Sequence, residues 1–295
     1  MTAFINYLFG PPLLNPDLIL SAVLDQGSIT KSTTEKIVVE DSDGNKIVFT
    51  GTFDPEGTGS DGLGTMTGFK LRDDGVKVME AGGFDIDAGA LLDALADLDS
   101  PIAAVAQLLF TEKVKINGSD YADTFAISLP DIVANGRKGA DILLGGIGNQ
   151  TLKGGKGDDL IVGGGDKDKL FGGKDQDIFG FNVPTLSPNG IESLDPASGH
   201  HRIKDFSRKD DSFLIDSDSV DLPEGRLAKK HFVVGEEALT EDHRFVHNDA
   251  NGRLYYDPDG SGEDEPFYLA KVDPGIKIKA NDIFIGDVPN LIFLG

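Results

Sequence analysis

Between Gly136 and Gly180 one side-chain type recurs at a fixed interval. The sixth residue of each nine-residue block reads Asp141, Gln150, Asp159, Asp168, Asp177. The blocks are GRKGADILL, GGIGNQTLK, GGKGDDLIV, GGGDKDKLF and GGKDQDIFG. Their eighth residues, Leu143, Leu152, Ile161, Leu170 and Phe179, are apolar. One inward apolar residue per nine gives each block one short strand, and its glycine-rich half is a turn that bulky side chains could not follow. Two blocks then make one coil of 18 residues, and coils stack about 4.8 Å apart. Sixth-position residues of alternate blocks therefore share an edge. Extending the phase backward to GSDYADTFA adds Asp123 to one edge, giving Asp123, Asp141, Asp159 and Asp177.

Two like charges about 4.8 Å apart repel by roughly 1 kcal/mol in water and about 3.5 kcal/mol at an effective dielectric of 20. A hard divalent cation between them turns repulsion into ligation, and turn carbonyls complete the oxygen shell that calcium takes. The opposite edge reads Ile132, Gln150, Asp168, because the intervening block ISLPDIVAN is degenerate. One gap and one neutral amide predict weaker ion binding there. A bland alternative, aspartates acting only as turn formers, accounts poorly for five consecutive blocks in phase.

The elements that must position these residues follow from the rest of the chain. It has 295 residues, a formal charge of −23, 38 glycines and no cysteine. Apolar residues make up 39%, enough to bury a core. The negative charge argues against nucleic acid and anionic membranes as partners and favours cations. Zero cysteine excludes disulfides, thiolate zinc sites and cysteine nucleophiles. No stretch reaches the roughly 20 apolar residues of a membrane span. The first 30 residues carry no basic side chain, so the charged region of a secretory signal peptide is missing there. The expectation is a protein without a transmembrane segment, cytosolic or exported without an N-terminal signal.

Charge divides the chain in three. Residues 1–135 are net −13, residues 136–180 neutral and residues 181–295 net −10. The expected domains are a mixed strand and helix region over 1–117, the repeat region over 118–180 and a β-rich cap over 181–295. In the first, IVVEDSDGNKIVFTGTF reads as a hairpin around Ser42-Asp43-Gly44-Asn45. Asn15-Pro16 predicts a helix start toward Gly27, Asp87 a second with Leu91, Leu92, Leu95 and Leu98 on one face, and Ser100-Pro101 a third with Ile102, Val105, Leu108 and Leu109 inward. In the last, HRIKDF, DSFLID, HFVVG, HRFVHN, GRLYYD, PFYLAKV and DIFIG read as strands.

The nonapeptide blocks resemble the RTX (repeats-in-toxin) family. The runs HRIKDFSRKDDSFLID, FVVGEEALTEDHRFVHNDANGRLYYDPDGSG and KIKANDIFIG resemble the region that follows such repeats in serralysin-type proteins. The resemblance implies a mostly β fold built on a right-handed parallel β-roll. It implies calcium held by Asp123, Asp141, Asp159, Asp168 and Asp177 with turn carbonyls around Gly146, Gly148, Gly155, Gly157, Gly164 and Gly173. It further implies an uncleaved C-terminal signal read by a type I secretion transporter, and hence an extracellular or cell-surface location. Gln150 and the degenerate block depart from the pattern. Residues 1–117 are similar to leaders of small secreted RTX proteins without an assigned activity.

Other motifs are weaker. Asp257-Pro-Asp259-Gly-Ser261-Gly-Glu-Asp264 imitates the start of an EF-hand loop, but its twelfth position is Tyr268 rather than glutamate; a solvated hairpin loop is the simpler reading. His243 and His247 have zincin spacing without the glutamate and on a strand. His200-His201 reads as a solvent-exposed pair in a polar loop. No nucleophile elbow, phosphate-binding loop or dinucleotide fingerprint occurs. The sequence thus reads as a calcium-binding, non-enzymatic protein with a surface, matrix or adhesion role, cell-surface polysaccharide or a second copy being its candidate partners. The alternative is a polysaccharide-acting enzyme or glycan-binding module in residues 1–117.

Overall fold

Lys36–Glu40 and Lys46–Phe53 alternate apolar and polar residues, and they pair as the antiparallel hairpin that alternation dictates. The computed structural model describes residues 3–7, 28–53, 64–73, 76–88, 90–91, 114–127, 132–146, 148–183, 186–187, 190–191 and 200–288. Glu40 faces Lys46 at the closed end. Asp41 Oδ1 accepts the N–H groups of Asp43 at 2.9 Å and Asn45 at 3.0 Å, and Gly44 takes φ 88° to close the turn.

The chain divides into two compact units, Met1–Tyr121 and Ala122–Gly295. In the first, the strands order as Ser28–Ser32, Lys36–Glu40, Lys46–Phe53, Gly64–Asp73, Val76–Asp87, Ala3–Tyr7 and Val114–Asn117. All neighbours are antiparallel except the last pair. Ile37, Val39, Ile47, Phe49, Phe69 and Leu71 form the buried face. The long pair Gly64–Asp73 and Val76–Asp87 was not foreseen in the sequence, where glycines and charges mask its alternation. Asp87 Oδ1 accepts the Ala90 N–H at 2.9 Å, the bond of a helix N-cap. The predicted helices at 15–27 and from Ser100, and Leu92, Leu95 and Leu98, lie outside the described residues.

The second unit is built from parallel strands at a constant offset. Thr124–Ile127, Ile142–Gly145, Leu160–Val162 and Ile178–Phe181 form one sheet. Val133–Lys138, Thr151–Lys156 and Lys169–Lys174 form the other. Leu143 pairs with Ile161, Ile161 with Phe179, and Leu152 with Leu170, so each coil is 18 residues. Leu143, Leu152, Ile161, Leu170 and Phe179 are all fully buried between the sheets. The degenerate block keeps the phase, with Ile132 and Ala134 buried. Close stacking explains the turn glycines: at Gly157, with φ 112°, a Cβ would overlap the carbonyl oxygen of Gly139 one coil away.

The coils do not stop where the repeats stop. His201–Ile203 adds to one sheet beside Lys169–Lys174, and Phe267–Lys271 follows it. Ser212–Asp216 adds to the other beside Ile178–Phe181, and Ile283–Gly286 follows it. Antiparallel Arg253–Tyr256 and Phe245–Asn248, then Phe232–Val234, complete the first sheet. Each of the seven strand-like pieces read from the sequence carries one of these strands. Phe206 stacks on Phe213 with ring centroids 4.6 Å apart, filling the core past the last repeat. Among the described residues no helix is long and apolar enough to cross a membrane.

Candidate metal centres on the edges of the roll

The first edge carries Asp123, Asp141, Asp159 and Asp177, each at the start of a strand and each buried. Parallel register aligns the carboxylate of one coil with the backbone of the coil before. Asp141 Oδ1 accepts the Asp123 N–H at 2.7 Å, Asp159 Oδ1 the Asp141 N–H at 2.8 Å, and Asp177 Oδ1 the Asp159 N–H at 3.1 Å. One oxygen of each carboxylate is thus engaged by backbone. The other, Oδ2 of Asp141, Asp159 and Asp177, is buried without a hydrogen-bond partner. These oxygens lie against the first glycine of their own turns; a Cβ at Gly136, Gly154 or Gly172 would overlap them.

Buried, half-satisfied carboxylates resist ionising. Burial pushes Asp141 up to about 7, Asp159 to about 6 and Asp177 to about 8. The backbone N–H bonds work against that rise, and neighbouring carboxylates add to it. An anionic oxygen in that setting calls for a proton or a cation. The donors are all oxygen, which suits a hard ion such as calcium. Among the described residues no three acidic or histidine side chains converge on one point, so an ion must also draw on backbone carbonyls. On this edge Gly155 lies against the Arg137 carbonyl, Gly157 against that of Gly139 and Gly173 against that of Gly155. These groups fit calcium; bound there, it would neutralise the buried carboxylate charge and tie successive coils together.

The second edge differs in kind. Gln150 donates its N–H to Asp168 Oδ1 at 2.6 Å, repeating the first edge's stitch. The Gly148 N–H goes to Asp166 Oδ2 at 2.8 Å, Gly164 lies against the carbonyls of Gly145 and Gly146, and Gly146 O already accepts the Gly165 N–H. The register Lys169–Arg202 then sets His201 after Asp168 in the column. His201 Nδ1 stands 2.9 Å from Asp168 Oδ2, and His201 is 6% exposed. The expectation of a solvent-exposed His200-His201 pair is therefore corrected. The alternation of the strand turns His201 inward, while His200 stacks on Tyr268 with centroids 4.3 Å apart. Burial raises Asp168, and His201 opposes that rise.

Two aspartates escaped the sequence reading. Asp211 Oδ1 accepts the Asp177 N–H at 3.2 Å, so it continues the first edge, and its Oδ2 accepts the Ser207 N–H at 2.7 Å. Asp205 Oδ1 accepts the Gly172 N–H at 3.0 Å. The signal was present: Asp211-Ser-Phe213 repeats the spacing of Asp177-Ile-Phe179 and Asp123-Thr-Phe125. Beyond them Asp282 pairs with Arg208 Nε at 2.7 Å, a side-chain cation.

The zincin-like pair is excluded by geometry. His247 is buried with Nδ1 3.2 Å from Arg253 O and Nε2 2.8 Å from Ile276 O, and His243 Nδ1 accepts the Leu239 N–H. Tyr268 lies in the strand Phe267–Lys271, so the Asp257 loop is not an EF-hand.

No curated protein matches the chain. A family model described as the RTX calcium-binding nonapeptide repeat (4 copies) matches residues 133–149 and 144–179. Within those residues the chain carries RTX nonapeptide repeats, which imply calcium binding.

Proposed function

We propose that this is an exported, non-enzymatic protein whose right-handed β-roll folds on extracellular calcium. The observation that carries the calcium part is the row of buried, unpartnered Oδ2 atoms on Asp141, Asp159 and Asp177. Without an ion the row must be protonated or repel itself, so the roll is loose at low calcium, as passage through a narrow channel requires. Extracellular calcium modules bind with Kd of about 10⁻⁴–10⁻³ M, and a site at 100-fold saturation adds about 2.7 kcal/mol. Export by a type I transporter rests on the resemblance of the repeats and of the segments after them to serralysin-type proteins. A surface, matrix or adhesion role, with surface polysaccharide or a second copy as partner, would use the calcium-ordered β edges for assembly.

Two experiments test this. Deleting residues 236–295 should trap the protein in the producing cell, whereas deleting residues 1–30 should not; the opposite pattern would place the signal at the other end. Pull-down with surface polysaccharide, with and without calcium, should retain the protein only with calcium if the folded roll supports the partner surface.

A further inference from the structure

A second place combines adjacent carboxylates with unpartnered buried oxygens, and it lies outside the repeats. The connection between the strands Arg253–Tyr256 and Phe267–Lys271 begins Asp257-Pro258-Asp259-Gly260-Ser261-Gly262-Glu263-Asp264. Asp257 is 5% exposed, and its carboxylate accepts the N–H groups of Gly260 and Asp259. Its Oδ1 has no hydrogen-bond partner. Beside it lies a second carboxylate, that of Asp259, close enough to share a proton with it. Asp259 Oδ2 accepts the Asp264 N–H at 3.1 Å, and its Oδ1 is likewise buried and unpartnered.

The loop backbone is shaped around these groups. Gly260 takes φ 71° and lies against the carbonyls of Thr240 and Glu241, where a Cβ would collide. The Ser261 N–H donates to Thr240 O at 3.2 Å, and the Asp257 N–H to Arg244 O at 2.8 Å, anchoring the loop on the preceding turn. A Cβ at Gly262 would overlap the Asp259 carboxylate. Two carboxylates held together with open, water-shielded oxygens are costly unless something positive joins them.

We propose that Asp257 and Asp259 hold a calcium ion in this loop, with loop carbonyls and the Ser261 hydroxyl completing its oxygen shell. The site needs no bidentate glutamate at the twelfth position, because the paired aspartates supply the anionic oxygens. It stands independently of the two edges of the roll. Bound calcium fixes the hairpin that carries Tyr256 and Phe267 into the core of the C-terminal region.

Terbium, which takes calcium sites and emits when excited through a nearby phenol, provides the test. The chain has no Trp and 5 Tyr, and Tyr255 and Tyr256 directly precede the loop. Tyr121 stands two residues from Asp123, so the full-length chain is used with Tyr121→Phe. The expected result is tyrosine-sensitised emission that calcium displaces. It falls at least about five-fold in Asp257→Asn and in Asp259→Asn, as loss of an anionic oxygen ligand requires. Asp259 is half-buried in a surface loop, so Asp259→Asn, checked for native circular dichroism, keeps the test decisive should Asp257→Asn misfold. Emission unchanged in Asp259→Asn overturns the proposal. So does absence of emission from the parent while calorimetry records calcium heat lost in Asp159→Asn, a result that leaves the reading of the roll intact and assigns a shared proton to the Asp257–Asp259 pair.

Discussion

Asp168 Oδ2 and His201 Nδ1 face each other across 2.9 Å at the point of the second edge where the first edge sets Asp177 after Asp159. The two edges of one roll therefore set different groups beside their buried carboxylates. On the first edge Asp141, Asp159 and Asp177 each keep a buried oxygen without a hydrogen-bond partner. On the second an imidazole nitrogen occupies that place.

Asp159→Ala should harm calcium binding more than Asp168→Ala. Asp159 lies between two other aspartates of its edge and holds the Asp141 N–H at 2.8 Å. Its loss removes an anionic ligand and leaves that buried donor unpaired, a cost of about 1–3 kcal/mol in the folded state. Calcium titration calorimetry on both variants decides; equal losses would contradict the assignment of the first edge.

Gln150→Asp should tighten calcium binding on the second edge while destabilising the calcium-free roll. The new carboxylate would sit one coil from Asp168, whose Oδ1 already holds the residue 150 N–H at 2.6 Å. Adding His201→Ala to it should increase the gain further, because Asp168 Oδ2 then has no imidazole beside it. Titrations of the single and double variants, with melts in chelator, measure both effects. Unchanged affinity in the double variant would mean that the second edge cannot take an ion.

The same carboxylates set a pH dependence. Asp141, Asp159 and Asp177 sit at about 7, 6 and 8 when folded against an ordinary 3.8, chiefly through burial. Between those values the folded chain holds more protons than the unfolded one, so calcium-free stability falls as pH rises through that window and levels off above it. Calcium must displace those protons, so its affinity weakens as pH drops from about 8 toward 6. Calorimetry near pH 7 in buffers of different ionisation enthalpy should record proton release on binding; heats independent of buffer would contradict the protonated resting state.

Glycine substitutions separate the stacked turns from an ordinary one. Gly157→Ala meets both φ 112° and the Gly139 carbonyl, whereas Gly44→Ala, at φ 88°, meets nothing within 4 Å. The second should cost about 1–2 kcal/mol from backbone conformation alone, and the first clearly more. Thermal melts in saturating calcium give the order.

The roll was legible because its signal is periodic. One apolar residue in nine and one aspartate in nine fix the coil length, the core face and the edge that each carboxylate occupies. The seven strands after the repeats were legible as apolar runs between Asp, Pro and Gly. Their place in the roll was not, because His201–Ile203 and Ser212–Asp216 continue the coils at offsets of 33 and 34 rather than 18. That irregular offset hid His201 and Asp211 as members of the two columns. Geometry also revised the carboxylates themselves. The sequence predicted bare charges about one strand spacing apart, whereas each is half satisfied by a backbone N–H that pairing in register supplies. In the first unit, glycines in Gly64–Asp73 and Val76–Asp87 broke the alternation from which strands are read.

The central claim is that calcium completes the first edge and so folds the roll. Far-ultraviolet circular dichroism of the full chain at pH 7.5, in chelator and then with millimolar calcium, tests it most directly. The account predicts a reduced β signal in chelator, restored by calcium in the parent and much less in Asp159→Ala. A full native signal in chelator, unchanged by calcium, would contradict it.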